Sequence, residues 1–170
     1  MVSADGPERE ALIREEGCPH VIVPMTRAVT PWQDLHCLWQ LITLFRRMRP
    51  DIVHSHTPKA GLLSMWAARF TGVPVRIHTV SGLHFRTSRG WKRTLFQWLE
   101  KMTCKAAGSV WVVSRSLAGD LVKDGLCDPA RLSMIGNGSS NGIDLVRFSM
   151  ENVTVEKMEE IRSAIGYQSG

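Results

Sequence analysis

The sequence predicts an α/β fold, a Rossmann-like parallel sheet with helices on both faces, and three observations carry that prediction. Short apolar runs alternate with longer helical patterns from one end of the chain to the other, as in strands joined by crossover helices. Runs such as Ser109–Val113 are almost continuously apolar, as parallel strands buried on both faces are. Proline and glycine stand where one pattern gives way to the next, as in Arg49-Pro50 and Gly72-Val-Pro74. With 170 residues, 44% hydrophobic and 22% charged, the chain is long enough for a substantial core.

In order, Met1-Val-Ser-Ala-Asp-Gly6 reads as the end of a strand running into a loop, 7–16 as a short helix and 20–24 as a compact strand. Thr30-Pro-Trp-Gln33 has the form of a capping box, with Thr30 at the N-cap and Gln33 reaching back. The helix behind it runs to about Met48, and Trp32, Leu35, Leu38, Trp39, Ile42 and Phe45 recur at the spacing of a buried face. Pro50 disfavours helix at Arg49, a strand spans Ile52–Ser55, and Thr57-Pro58 opens a small-residue helix ending near Phe70. Val75–Thr79 is the next strand and Ser81–Phe85 a loop at its carboxyl end. A helix over Arg89–Ala107 places Trp91, Leu95, Trp98, Leu99 and Met102 on one side. Ser109–Val113 is a strand, Ser114 caps another helix, Leu132–Ile135 is a last strand, Gly136–Gly142 a loop and Val155–Ile165 a terminal helix. The domain is placed at 1–150, with 151–170 a hinge helix. Because a domain rarely begins on the last residues of a strand, the natural chain is expected to start earlier.

The net charge is +5, and 86–105 alone, with six basic residues and one acid, accounts for it. Trp91 and Trp98 are interleaved with these charges. Three readings stand: a core-facing aromatic stripe with a solvated basic back, a helix lying on anionic lipid headgroups, or a nucleic-acid surface. The last is set aside because no nucleic-acid motif accompanies the charge. Cys18, Cys37, Cys104 and Cys127 are scattered without zinc-ligand spacing and read as free thiols of a reducing compartment. The longest apolar stretch, Leu38–Phe45, is too short to span a bilayer.

His54 and His56 share a face of the Ile52 strand, with His56 at the carboxyl end beside a helix N-terminus that favours anions. Ligands of open parallel sheets bind at such strand ends. His56 is therefore the first candidate for chemistry, and His54, deeper in the strand, reads as a core histidine. A metal would need further ligands, for which only His78 and His84 are at hand, so no metal is expected. Lys59, in the first helical turn, suits a phosphate or is a solvated surface lysine. Gly82 allows close backbone approach, and His84 is a polar reader in the same loop. The loop with Asn141 and Gly142 can present N–H groups to a ligand, or is an ordinary connector.

Together, Arg49-Pro-Asp-Ile-Val-His-Ser-His-Thr-Pro-Lys-Ala-Gly61, Thr79-Val-Ser-Gly-Leu-His-Phe85, Val112-Val-Ser-Arg-Ser116 and Gly136-Asn-Gly-Ser-Ser-Asn-Gly-Ile-Asp144 resemble, in matching order, the amino-terminal half of family-4 glycosyltransferases of bacterial polysaccharide biosynthesis. The resemblance implies one half of a GT-B architecture, two Rossmann-like domains facing across a cleft. It implies retaining transfer of a sugar from a nucleotide-diphosphate sugar, without a metal or other cofactor, to a glycan or lipid-linked acceptor. His56 then matches the histidine that reaches the donor sugar, Gly82 and His84 the acceptor-side loop, and Asn141 and Gly142 the approach to the hinge. Ser81 stands where many relatives carry histidine, and Arg115 where they carry glutamate. The family's first strand, with its glycine loop, and the second domain, with its paired glutamates, lie outside the sequence. The resemblance therefore implies a gapped sheet and no catalysis by this chain alone. It also implies a cytoplasmic protein at the inner face of the membrane, contacting that surface through 86–105.

Overall fold

The computed structural model describes residues 1–6, 9–26, 28–134, 136, 138, 144–146, 149, 154–164 and 166, and of Arg9, Leu12, Glu16, His84 and Val155 the backbone alone. The chain divides into two compact units, Met1–Gly138 and Ser139–Gly170. The first holds strands β1 (Val2–Ser3), β2 (Val21–Ile22), β3 (Ile52–Ser55), β4 (Val75–Val80), β5 (Ser109–Val112) and β6 (Leu132–Met134). Its helices are α1 (Arg9–Glu16), α2 (Pro31–Met48), α3 (Pro58–Phe70), α4 (Trp91–Ala106) and α5 (Arg115–Lys123). Helix α6 (Val155–Ala164) belongs to the second unit.

All strand pairs are parallel, and they form two separate sheets, β1-β2 and β3-β4-β5-β6. The expected gap is present: among the described residues no strand joins the small sheet to β3, which pairs on one side only. Register sets the faces of the larger sheet. Ser55 lies beside His78 and His78 beside Val110, so Val53, Ser55, His78, Val80, Val110 and Val112 point one way, and all are buried. Ile52, His54, Thr79 and Trp111 point the other way and stay partly open.

Helix boundaries follow their local chemistry. Proline occupies the first turn of α2 and of α3, where its absent N–H costs nothing. Helix α2 ends at Arg49 in the left-handed region (φ 47°), Pro50 disfavours any further helical turn, and the Arg49 N–H still donates to the Phe45 carbonyl. Ser114 caps α5 by accepting from the Leu117 N–H at 3.2 Å.

The capping box at Thr30 is corrected. Gln33 reaches away, donating to the Pro24 carbonyl at 2.6 Å, and Asp34 reaches back instead. Its carboxylate accepts from the Thr30 N–H at 3.1 Å and the Thr30 hydroxyl at 3.0 Å. The same carboxylate pairs with Lys59 at 2.5 Å. Asp34 thereby turns α2 so that Cys37, Leu41 and Phe45 face inward. Trp32 is 86% and Trp39 62% exposed, against the expectation that they line the buried face. Two adjacent stripes satisfy the same spacing, and the ion pair selects the inner one. Helix α4 departs similarly: Glu100, Thr103, Cys104 and Ala106 face the sheet, while Trp91 and Trp98 are 71% and 56% exposed. The reading of these tryptophans as a core-facing stripe is therefore overturned.

Helix α3 is the middle of a layer, packed against α2 on one side and α4 on the other, and resting on β3 and β4. Its closest approach to the sheet is at Gly61, where a methyl group would stand 2.7 Å from His78 Nδ1. Replacing Gly61 by alanine therefore forces helix and sheet apart, and should lower stability by about 1–3 kcal/mol. A urea titration of the variant should show a lower midpoint at unchanged slope.

Candidate functional site at the β3 and β4 strand ends

The carboxyl ends of β3 and β4 meet the amino end of α3. Here His56 leaves β3 with an exposed side chain, its ring 4.1 Å from that of His54. The His54 Nε2 shares a 2.8 Å hydrogen bond with the Thr79 hydroxyl, and its ring meets Trp111 edge-on at 5.1 Å. His54 is therefore a hydrogen-bonded residue of the open sheet face, not the core histidine expected. That position belongs to His78, which is 2% exposed.

Under the strand ends lies a polar group that the sequence reading passed over. His78 Nδ1 shares a 2.8 Å hydrogen bond with Ser55 Oγ, and its Nε2 faces Glu100 Oε1 at 3.7 Å. Glu100 is itself buried, and that oxygen has no hydrogen-bond partner. A cleft of about 10 Å³, close to the room one water needs, is floored by His78 and Glu100 and rimmed by His56, Pro58, Ser81 and Gly82. The signal was in the alternation. Ser55 lies between two histidines, so it must point opposite to them, and the register then places His78 next to it.

The other candidates divide. Gly82 reaches the rim, but a side chain there would meet open space, so packing does not demand glycine. His84 begins a 3-10 turn, His84–Arg86, and its side chain lies outside the described residues. Asn141 and Gly142 also lie outside them. Lys59 is not a solvated lysine but one engaged within the domain. Its ammonium pairs with Asp34 and donates to the Thr26 and Thr30 hydroxyls, each at 3.1 Å, and to the Ala28 carbonyl. It clasps the loop before α2 to the start of α3, and an ammonium has only three protons to give. Among the described residues no three His, Cys, Asp or Glu side chains converge as a metal site, and no helix is long and apolar enough to cross a membrane.

Thr57 makes no side-chain cap, so the first N–H groups of α3 are left without that partner. A histidine, a helix amino end and a loop thus meet at adjacent parallel strand ends, the place where open parallel sheets bind their ligands. Residues 1–138 match the glycosyl transferase 4-like domain, and the chain belongs to that family. It is 38% identical over 160 residues to the capsular polysaccharide biosynthesis glycosyltransferase CapM of Staphylococcus aureus, covering 94% of this chain and 40% of the relative. It is 32% identical over 126 residues to the UDP-Gal:alpha-D-GlcNAc-diphosphoundecaprenol alpha-1,3-galactosyltransferase of Escherichia coli, covering 74% and 32%. In fold it matches a glycosyltransferase from Rickettsia africae ESF-5 (TM-score 0.60, 18% identity, 99% of this chain and 41% of that one). It also matches Anabaena Alr3699/HepE in complex with UDP-glucose (TM-score 0.61, 14% identity, 96% and 40%). The chain thus spans about two fifths of the length of CapM and of these two structures.

Burial lowers the pKa of His54 below its ordinary 6.5, and the neighbouring His56 and His78 push it the same way. The unfolded chain therefore binds this proton more readily than the folded one. The stability that neutral His54 contributes is complete above pH 6.5 and falls away as the pH drops from there towards the folded-state value. An NMR titration should place the His54 midpoint below 6.5. Replacing His56 by alanine should move that midpoint upward.

Proposed function

We propose that this domain forms the acceptor-side wall of a glycosyltransferase that moves a sugar from a nucleotide-diphosphate donor to a growing polysaccharide or its lipid-linked precursor. The observation that carries the reading is His56, exposed at the end of β3 between the free amino end of α3 and the Ser81–Gly82 rim. Family membership and the two glycosyltransferase relatives support it. The relative from Escherichia coli acts on a diphosphoundecaprenol-linked sugar, which supports a lipid-linked acceptor here.

In this reading the bond from the anomeric carbon to the diphosphate oxygen breaks and the acceptor hydroxyl bonds to the same face of that carbon, retaining its configuration. The hydroxyl proton leaves with the diphosphate. His56 touches the donor sugar through its exposed ring and orients it, and a neutral imidazole can accept or donate one hydrogen bond to a sugar hydroxyl. Gly82 and His84 are assigned to acceptor binding, and Asn141 and Gly142 to the approach to a nucleotide-binding partner domain, as the resemblance implies. That domain supplies most of the donor contacts, so no transfer is expected from these 170 residues alone. Lys59 holds the start of α3 in place and touches no substrate. The reading puts the domain on the cytoplasmic side of the membrane, in contact with anionic lipid through 86–105.

In the full-length enzyme, His56→Ala should lower kcat by about 100-fold or more while the melting temperature stays unchanged. Turnover equal to that of the parent protein would return His56 to a structural role. Donor binding without transfer in the intact protein would make it a binding module instead.

A further inference from the structure

We infer that the cleft beneath the Ser81–Gly82 rim is a site for one fixed water, held by Glu100 and His78, and that this water sets the position of the rim. The starting point is a carboxylate that packing does not ask for. Glu100 stands on the face of α4 that meets the sheet, beside Thr103 and Cys104, and is only 8% exposed. Leucine would fill that space, whereas a buried carboxylate is costly unless its oxygens find hydrogen-bond donors. Glu100 Oε1 has no such partner among the described residues. Among the residues lining the cleft there is no lysine or arginine, so no side-chain cation there competes for it.

His78 Nε2 faces that oxygen at 3.7 Å, too far for a direct hydrogen bond. A water about 2.8 Å from each atom fits between two atoms so spaced, off the line that joins them. Both side chains line the cleft, whose volume of about 10 Å³ admits one water and nothing larger. An ionised carboxylate only accepts, so the water donates to Glu100. His78 Nδ1 is already engaged by Ser55 Oγ at 2.8 Å, which leaves Nε2 for the water. The Ser55 hydroxyl and the water can each donate or accept. The run from Ser55 through His78 and the water to Glu100 therefore closes with either histidine tautomer. A buried water makes about three hydrogen bonds, and the third falls to the rim, since His56, Ser81 and Gly82 line the same cleft. That bond ties the loop after β4 to α4 and, through His78, to β3. Glu100 is thus a positioning residue that acts on the rim through the water. The step from rim to acceptor binding rests on the transferase reading, and the water site does not.

Three proteins test this: the parent chain, Glu100→Gln, which keeps an acceptor of the same shape, and Glu100→Leu, which keeps the bulk and removes the acceptor. Circular dichroism melts and hydrogen exchange of the β5 amides first confirm that each is folded. Oxygen-17 relaxation dispersion of the solvent should detect a long-lived water in the parent and in Glu100→Gln, and one fewer in Glu100→Leu. Water-selective NMR of the parent should give a cross-peak to the Ser81 or Gly82 amide or to the His78 ring. Amide exchange at Ser81 and Gly82 should quicken about five-fold in Glu100→Leu and stay within about two-fold in Glu100→Gln. Absence of the cross-peak in the parent would overturn the site, even if Glu100→Leu failed to fold. Equal numbers of long-lived waters in the parent and Glu100→Leu would overturn it as well. Rim exchange unchanged where the water is lost would overturn the positioning role. In the full-length enzyme, Glu100→Leu should raise the KM for the acceptor about ten-fold and that for the donor less than about two-fold. Glu100→Gln should recover most of the parent value, and equal rises in both constants would reduce Glu100 to general scaffolding. A full-length protein without transfer would sink the transferase reading, and the relaxation results would still decide the water.

Discussion

The structure depends on the fit between His78 and Gly61. His78 sits on the buried face of β4, tied to Ser55 of β3 and facing Glu100 of α4, with Gly61 of α3 against its ring. Four elements therefore meet at one imidazole. A buried polar ring needs partners, and Ser55 provides one only in the observed register of β3 and β4. Space for the ring exists only because residue 61 has no side chain. With α3 fixed at that height, its amino end is level with the strand end that carries His56. The exposed candidate site is thus placed by a buried contact beneath it.

A second restraint acts from the side. Lys59 and Asp34 join the start of α3 to the first turn of α2, with Thr26, Ala28 and Thr30 drawn in by the same ammonium. The pair is only partly exposed, so it is screened less than a surface ion pair, and the surrounding hydrogen bonds fix its geometry. It also decides how α2 is rotated, and with that which tryptophans face water.

Much of this was legible in the sequence. The bounds of the Ile52–Ser55 strand and the Pro58–Phe70 helix were given by Pro50 and Thr57-Pro58, because proline constrains both its own backbone and its predecessor's. The gap beside β3 was implied by the family resemblance and by no local pattern. Helix faces were read less well. Periodicity identifies a stripe but not its absolute direction, so Trp32 and Trp39 were placed inward with their stripe, and Trp91 and Trp98 stayed open between a core and a surface role. Asp34 carried the missing information, since a carboxylate four residues after Thr30 competes with Gln33 for the cap. His54 was read as the core histidine in place of His78 for a related reason. Which face of a sheet is covered depends on neighbouring helices, and no local pattern states that.

The unpaired edge of β3 has a consequence in the language of linkage. A parallel strand that entered the gap between the two sheets would bind the folded domain and not the unfolded chain. Its binding free energy would then add directly to the domain's stability. Occupancy of the gap and rigidity of the strand end carrying His56 are in that case one equilibrium, so the domain's order varies with whatever fills the gap.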